Sequence, residues 1–285
     1  MIGRLVSGLV VLLVAGCAQP GGTPAVQPTK IALPATVGPD DLGLDAPVVP
    51  LATPIIAGTT LINAKMRFCD EFSFEGWLHA RQLLIMERNC GDLSYAMVDA
   101  QWQRITATVT EGPYRGAMLS AEWTGSGAIR NRRFQDPLVL PTTSDEQGAL
   151  RGFEGRLSSV LDRTRGLLAQ GETMTENFAL RGVAGTGQII VPVQCRVEGM
   201  SKIGPNDVVV WRCAADLTVN RQRNESGQRA LNVRQSATSW TASDLRSGVT
   251  RRAVTLVEGQ GAISLATGRH DLPVTIRGLS RFRAD

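Results

Sequence analysis

Histidine is nearly missing from this sequence: 285 residues contain only His79 and His270. Imidazole is the side chain most often recruited as general acid or base near neutral pH, so its scarcity removes most nucleophile–base arrangements. His79 lies in Trp77-Leu78-His79-Ala80-Arg81 beside an expected strand, and His270 lies in the turn-like Gly268-Arg269-His270-Asp271. Both read as surface or partly packed side chains. There is no Cys-x-x-Cys, and no two cysteines stand closer than 18 positions. That spacing speaks against a thioredoxin-like redox motif and against the closely paired ligands of a structural zinc site. Gly182-Val183-Ala184-Gly185-Thr186-Gly187 lacks the Gly-Lys-[Ser/Thr] of a phosphate loop, and Gly125-Ser126-Gly127 lacks the flanks of a nucleophile elbow. No metal or cofactor is expected. Beyond the first residues there is also no long apolar run.

The exception at the start is informative. Arg4 is followed by an apolar stretch from Leu5 to Val14 and then by Ala15, Gly16 and Cys17. A charged head, a short apolar body and small residues before a cleavage point make a secretory signal. Leu5 to Ala18 as a helix covers ~21 Å, less than the ~30 Å hydrocarbon core of a bilayer. Pro20, Gly21, Gly22 and Pro24 would break any continuation. Val14-Ala15-Gly16-Cys17 resembles the bacterial lipobox, with Val14 where Leu is commoner. The resemblance implies a signal peptide of residues 1–16, thioether lipidation of Cys17, and acylation (palmitate among the chains) of its new amino terminus. Ala18, rather than Asp, follows Cys17. In enteric bacteria that resemblance implies the periplasmic face of the outer membrane more than the inner membrane.

Cleavage would leave 269 residues, enough for one large domain or two small ones. Residues 18–56 hold eight of the 14 prolines, four charges and no aromatic residue, and read as an extended stalk. From Ala57 onward, short apolar runs broken by Gly, Asn, Asp and Pro signal strands. Arg104–Val109 and Ala117–Trp123 read as a hairpin, and further runs fall at 83–86, 188–197, 208–213, 217–222, 230–241, 252–257 and 262–267. Leu150, Phe153, Leu157, Val160, Leu161, Leu167 and Leu168 recur at mostly three- and four-residue steps, which predicts one amphipathic helix near 150–170. The expected fold is mainly β: antiparallel strand-rich portions at 57–143 and 172–285, sandwich or barrel-like, joined by a helical connector at 144–171. A faint repeat links the two portions. Cys69 to Cys195 is 126 positions and Cys90 to Cys213 is 123, and each second cysteine leads into an Asp-Leu pair.

An exported chain meets an oxidising compartment, so the four remaining cysteines predict disulfides. Of the three pairings, Cys69–Cys90 and Cys195–Cys213 are preferred because each closes a local loop of 21 or 18 positions.

Charge is uneven. Residues 196–285 carry 14 basic and eight acidic side chains. Arg221, Arg223, Arg229, Arg234, Arg246, Arg251 and Arg252 fall in or beside expected strands and form a candidate basic face for an acidic envelope polymer, anionic lipid or an acidic protein. A solvated strand face is the plainer reading, and nucleic acid is not an expected partner outside the cytoplasm. Trp77, Trp102, Trp123, Trp211 and Trp240 raise sugar stacking, although most tryptophans are core residues. Gly91-Asp92-Leu93-Ser94 resembles the Gly-Asp-Ser-Leu block of one esterase family, but Leu93 separates Asp from Ser and the Asp-x-x-His block is missing. Asp70-Glu71 could supply half of a carboxylate pair. The sequence thus favours a non-catalytic, membrane-anchored envelope module that binds or scaffolds another component. A glycan or lipid hydrolase and a carrier with a β-barrel cavity are the alternatives.

Overall fold

The computed structural model describes residues 32–78, 81–140, 144–161, 163–181, 188–221, 230–264 and 271–285. Alternating burial runs through most of the chain. In Trp102–Glu111, for example, Gln103, Ile105, Ala107 and Val109 are buried while Arg104 is exposed. That period of two requires strands with one face toward a core. Eleven antiparallel strands form one sheet: β2 (Ala64–Leu78), β3 (Arg81–Met97), β4 (Trp102–Glu111), β5 (Met118–Thr124), β6 (Ile129–Gln135) and β8 (Thr173–Arg181) to β13 (Asp271–Ala284). Between β8 and β13 come β9 (Gln188–Ile203), β10 (Asn206–Arg221), β11 (Ala230–Asp244) and β12 (Thr250–Ser264). Their order across the sheet is β6-β5-β4-β3-β2-β13-β12-β11-β10-β9-β8. A second, two-stranded sheet pairs β1 (Ile55–Ala57) with β7 (Gly166–Leu168).

The order shows two five-stranded meanders laid head to tail. β2–β6 runs outward from the centre, and β9–β13 runs inward until β13 pairs with β2. The meanders correspond in detail. In each, a disulfide joins directly facing residues of the first two strands, Cys69–Cys90 and Cys195–Cys213. In each, a glutamate of the fourth strand pairs with an arginine of the fifth at 2.8 Å, Glu122–Arg130 and Glu258–Arg277. The turn between third and fourth strands holds a left-handed glycine in both, Gly116 (φ 89°) and Gly248 (φ 69°). The fifth strands read Ile129-Arg130…Arg133-Phe134 and Ile276-Arg277…Arg281-Phe282. β6 has one residue fewer between its arginines. A bulge with Asn131 at φ 53° returns Arg130 and Arg133 to one face, opposite Glu122 and Ser120.

The two faces of the sheet are covered differently. One face, here called the helix side, packs α1 (Ser144–Leu157) and the following 3-10 turn Ser158–Leu161. Leu150, Phe153, Leu157, Val160 and Leu161 bury there against Phe68, Leu93, Ile105, Leu119 and Phe282. The β1–β7 pair covers the same face farther along, with Ala57 and Leu168 packed on Val197, Trp211 and Cys213. The helix is shorter and earlier than the 150–170 periodicity predicts. It ends at Leu157, and Leu167 and Leu168 lie in β7, where Gly166 at φ 103° lets the chain turn into the strand.

On the outer face lies the segment expected to be a stalk. From Leu33 to Val49 it runs along the sheet, not apart from it. Val37 and Leu42 bury on Val208, Val210, Val254 and Leu256, with Leu33, Leu44 and Val48 packed beside them. Val49 exchanges two 2.8 Å backbone hydrogen bonds with Met200, and the Trp240 Nε1 donates to Val37 O at 3.0 Å. Prolines that fix an extended path and need no donor partner suit a chain lying across strands. Gly199 permits the approach: a Cβ there would stand 2.3 Å from Val49 O. Elsewhere the outer face carries Glu71, Arg212, Asp216, Arg234 and Arg277 beside the exposed Met86 and Trp77.

Candidate functional site

Two arrangements concentrate polar chemistry, one buried and one at the sheet edge. The buried one lies under α1. Arg156, in the last turn, is 4 % exposed. Its Nε donates to Asp70 Oδ2 at 3.0 Å and its Nη2 to Glu87 Oε2 at 2.8 Å. The guanidinium stacks 4.1 Å over Phe72. Tyr114 completes the group: its hydroxyl donates to Glu87 Oε1 at 2.9 Å, and its ring lies 4.5 Å from Phe153. Burial pushes the Asp70 carboxyl above its usual range against the pull of Arg156. Burial alone would lower Arg156, but Asp70 and Glu87 hold it above its ordinary value. Both carboxylates are thus occupied by one cation and closed over by the helix. The group fastens α1 to β2 and β3, and its carboxylates are not presented to a substrate.

The second arrangement is a ledge formed by β6, the chain after it and α1. Among the described residues β6 has a neighbour on one side only, β5. Six of its seven residues are exposed, and Phe134 is half-buried against the helix-side core. Three consecutive apolar residues then face solvent: Leu138, Val139 and Leu140 are 73 %, 78 % and 60 % exposed. Leu138 is tied to the body of the fold. Pro137 is buried, and Leu138 N–H donates to Arg115 O at 2.9 Å. Gly116 leaves room for this contact, since a Cβ there would meet Leu138 Cγ at 2.4 Å. Between Phe134, Leu140 and Leu150 lies a groove of about 370 Å³, rimmed by Asp136, Arg151 and Glu154. Arg132 reaches back to α1 and the 3-10 turn, bonding Glu154 at 3.2 Å and Ser158 at 2.8 Å. Arg130 stacks 3.7 Å over Trp102 and pairs with Glu122. With Arg104 and Arg130 as donors, Glu122 is held down at about 2.

The residues singled out in the sequence are dispersed. Arg251 and Arg252, adjacent in β12 at a bulge opposite Ala242 and Ser243, take different partners. Arg251 bonds Met66 Sδ at 2.7 Å, while Arg252 pairs with Asp285 at 2.5 Å. Arg234 lines a groove of about 390 Å³ on the outer face with Asp216, Glu258 and Arg277. Arg246 lies in the β11–β12 turn, and Arg221 ends β10. Arg223, Arg229, His79, His270 and Gly182–Gly187 lie outside the described residues. Asp70 and Glu71 face opposite sides: Asp70 meets Arg156, and Glu71 lies 3.4 Å from Arg88. Ser94 Oγ donates to Thr106 O at 3.5 Å. Trp211 and Trp123 are buried, and Trp77, Trp102 and Trp240 lie on three separate strands, so they form no single stacking platform. Sequence reasoning misses both the ledge and the Arg156 group. For the second there is a signal, a lone arginine between Phe153 and Leu157 on the apolar side of a helix.

No family model matches the chain, and no curated relative matches it. Among solved structures, the chain is similar to OmpTΔL8, a loop L8 deletion mutant of OmpT, an outer membrane protein of Vibrio cholerae. Identity is 10 %, the match covers 78 % of this chain and 99 % of that one, and the TM-score is 0.22. A likeness at that score carries no argument about this chain.

Proposed function

We propose that this chain is an exported lipoprotein, anchored through Cys17, whose folded body is a non-catalytic binding module for another component of the cell envelope. The single observation that carries the binding part is the solvent-facing run Leu138–Val139–Leu140 beside an open groove. Exposed consecutive apolar residues are selected against unless they meet a partner. The lipobox at Val14–Cys17 supports the anchor, and the two cross-strand disulfides support an oxidising compartment. The alternatives draw less from the geometry. The buried carboxylates of Asp70 and Glu87 are both bound to Arg156. On the helix side, the space between Phe72, Phe74, Val257 and Ile276 is about 20 Å³, room for about one water and not for a lipid.

The test is in-cell crosslinking of the lipidated chain, followed by mass spectrometry, beside a variant with serine at 138, 139 and 140. One recurrent envelope protein should be captured by the wild type and lost from the variant, with the variant's melting temperature unchanged. Equal capture by both would place the binding surface elsewhere.

A further inference from the structure

The two meanders correspond strand for strand, yet their fifth strands differ in what lies at the outer edge. The outer edge of β13 is occupied by β2, and the outer edge of β6 is open among the described residues. At β13 the occupant is antiparallel and places acids in register with arginines, Glu75 opposite Arg277 and Glu71 opposite Arg281, while the bonded partners are Glu258 for Arg277 and Arg88 for Glu71. Both arginines lie on the outer face, and between these acids the strand turns Phe72 and Phe74 to the helix side. β6 repeats the acceptor's features. Arg130 and Arg133 lie on its outer face, Ile129 and Phe134 on the helix side, and the strand carries three arginines and no acid. Arg133 is exposed, and Arg130 is shared with Glu122 as Arg277 is shared with Glu258.

We propose that β6 accepts an antiparallel strand from an envelope partner protein, an extended segment with acidic side chains opposite Arg130 and Arg133 and apolar ones in alternation. The inference rests on reading the ledge as a binding surface and names the chemistry of what it takes. An open strand edge supplies unpaired N–H and C=O groups, so the backbone gives affinity and the alternate side chains give specificity. Cross-strand opposite charges favour such a pair and like charges oppose it. The apolar residues at 138–140 then receive the chain that continues past β6.

The internal correspondence supplies a probe: a fluorescent peptide of residues 66–78 with serine for Cys69, titrated into the full-length protein in detergent. Saturable binding is expected, with slowed amide hydrogen exchange in Ile129–Gln135. Arg133→Glu should weaken it by about tenfold, Arg133→Gln by less. A peptide with Glu71→Lys and Glu75→Lys should bind poorly to the wild type and regain affinity on the Arg133→Glu protein. Absence of binding, binding that leaves the β6 amides unprotected, or affinity indifferent to charge reversal would overturn the proposal. Self-association of the chain that protects β6 would also overturn it, since the occupant would then be a second copy. A photo-crosslinker at Val139 separates the two levels. If it still captures its envelope protein in the Arg133→Glu background, the ledge reading stands and the strand inference falls.

Discussion

Arg156→Met removes the cation from the group beneath α1 while keeping side-chain volume. Asp70 and Glu87 are 3 % and 10 % exposed at their side chains, and their oxygens lie 3.0 and 2.8 Å from the guanidinium. Without it, two buried carboxylates face each other with only Tyr114 as a donor to Glu87. Breaking a buried ion pair by deleting one partner costs about 3–5 kcal/mol, and this cost belongs chiefly to the charges left behind. A triple variant, Asp70→Asn, Glu87→Gln and Arg156→Met, leaves no such charge and should lie within about 1–2 kcal/mol of the wild type. The pH dependence separates charge from packing. Burial already raises Asp70 above its ordinary 3.8. Removing Arg156 raises it further, so the ionised form penalises folding. That penalty is full above the folded value and disappears below 3.8, so the deficit of Arg156→Met should shrink as pH falls from 7 toward 4. Urea unfolding of the oxidised protein at several pH values measures it. A deficit independent of pH, or equal to that of the triple variant, would leave lost packing on Phe72 and Phe153 as the whole effect and exclude the unpaired charges as its cause.

Other outcomes follow from single positions. Glu122 is held at about 2, below its ordinary 4.5, so its stabilisation is full above 4.5 and is lost as pH falls toward 2. Glu122→Gln should therefore be less stable than the wild type at neutral pH and converge on it in that window, as followed by acid unfolding. Gly261 packs its α-carbon against β11, where a Cβ would stand 2.0 Å from Asn232 O. Gly261→Ala should cost about 1–3 kcal/mol in a thermal melt, whereas Gly38→Ala, with nothing within 4 Å, should cost little. Cys17→Ser should abolish palmitate labelling and membrane recovery. Membrane retention with normal signal removal would contradict the lipobox. Alkylation before reduction should find none of Cys69, Cys90, Cys195 and Cys213 modified, and all four after it.

The β content is legible because alternation is written in β4 and β5 residue by residue. Strand ends are less so. β10 reads as two runs around Ala214-Ala215-Asp216, and β12 as two around Gly259 and Gly261, because small and acidic residues look like breaks. Neighbours on both sides hold each as one strand, and the glycines serve close packing instead of a turn. β6 has no apolar period at all. Its strand state comes from pairing with β5, and only its likeness to Ile276–Phe282 in the chain could mark it. Leu138-Val139-Leu140 looks like buried strand in one dimension, and its exposure follows from Pro137 and the Arg115 contact. The proline-rich segment reads by composition as a stalk, but Val37 and Leu42 bury on the sheet. The 14 basic residues of 196–285 say nothing of face, because charge counts ignore where each side chain goes, Arg251 to Met66 and Arg252 to Asp285.

The central claim is that the ledge is the surface by which an anchored chain meets an envelope partner. A photo-crosslinking residue placed at Val139 in the lipidated protein in living cells tests it most directly, with the same residue at Arg234 on the outer face as the comparison. One recurrent envelope protein should be captured from position 139 and not from position 234. Capture from 234 alone, or from neither position at normal expression and anchoring, would contradict it.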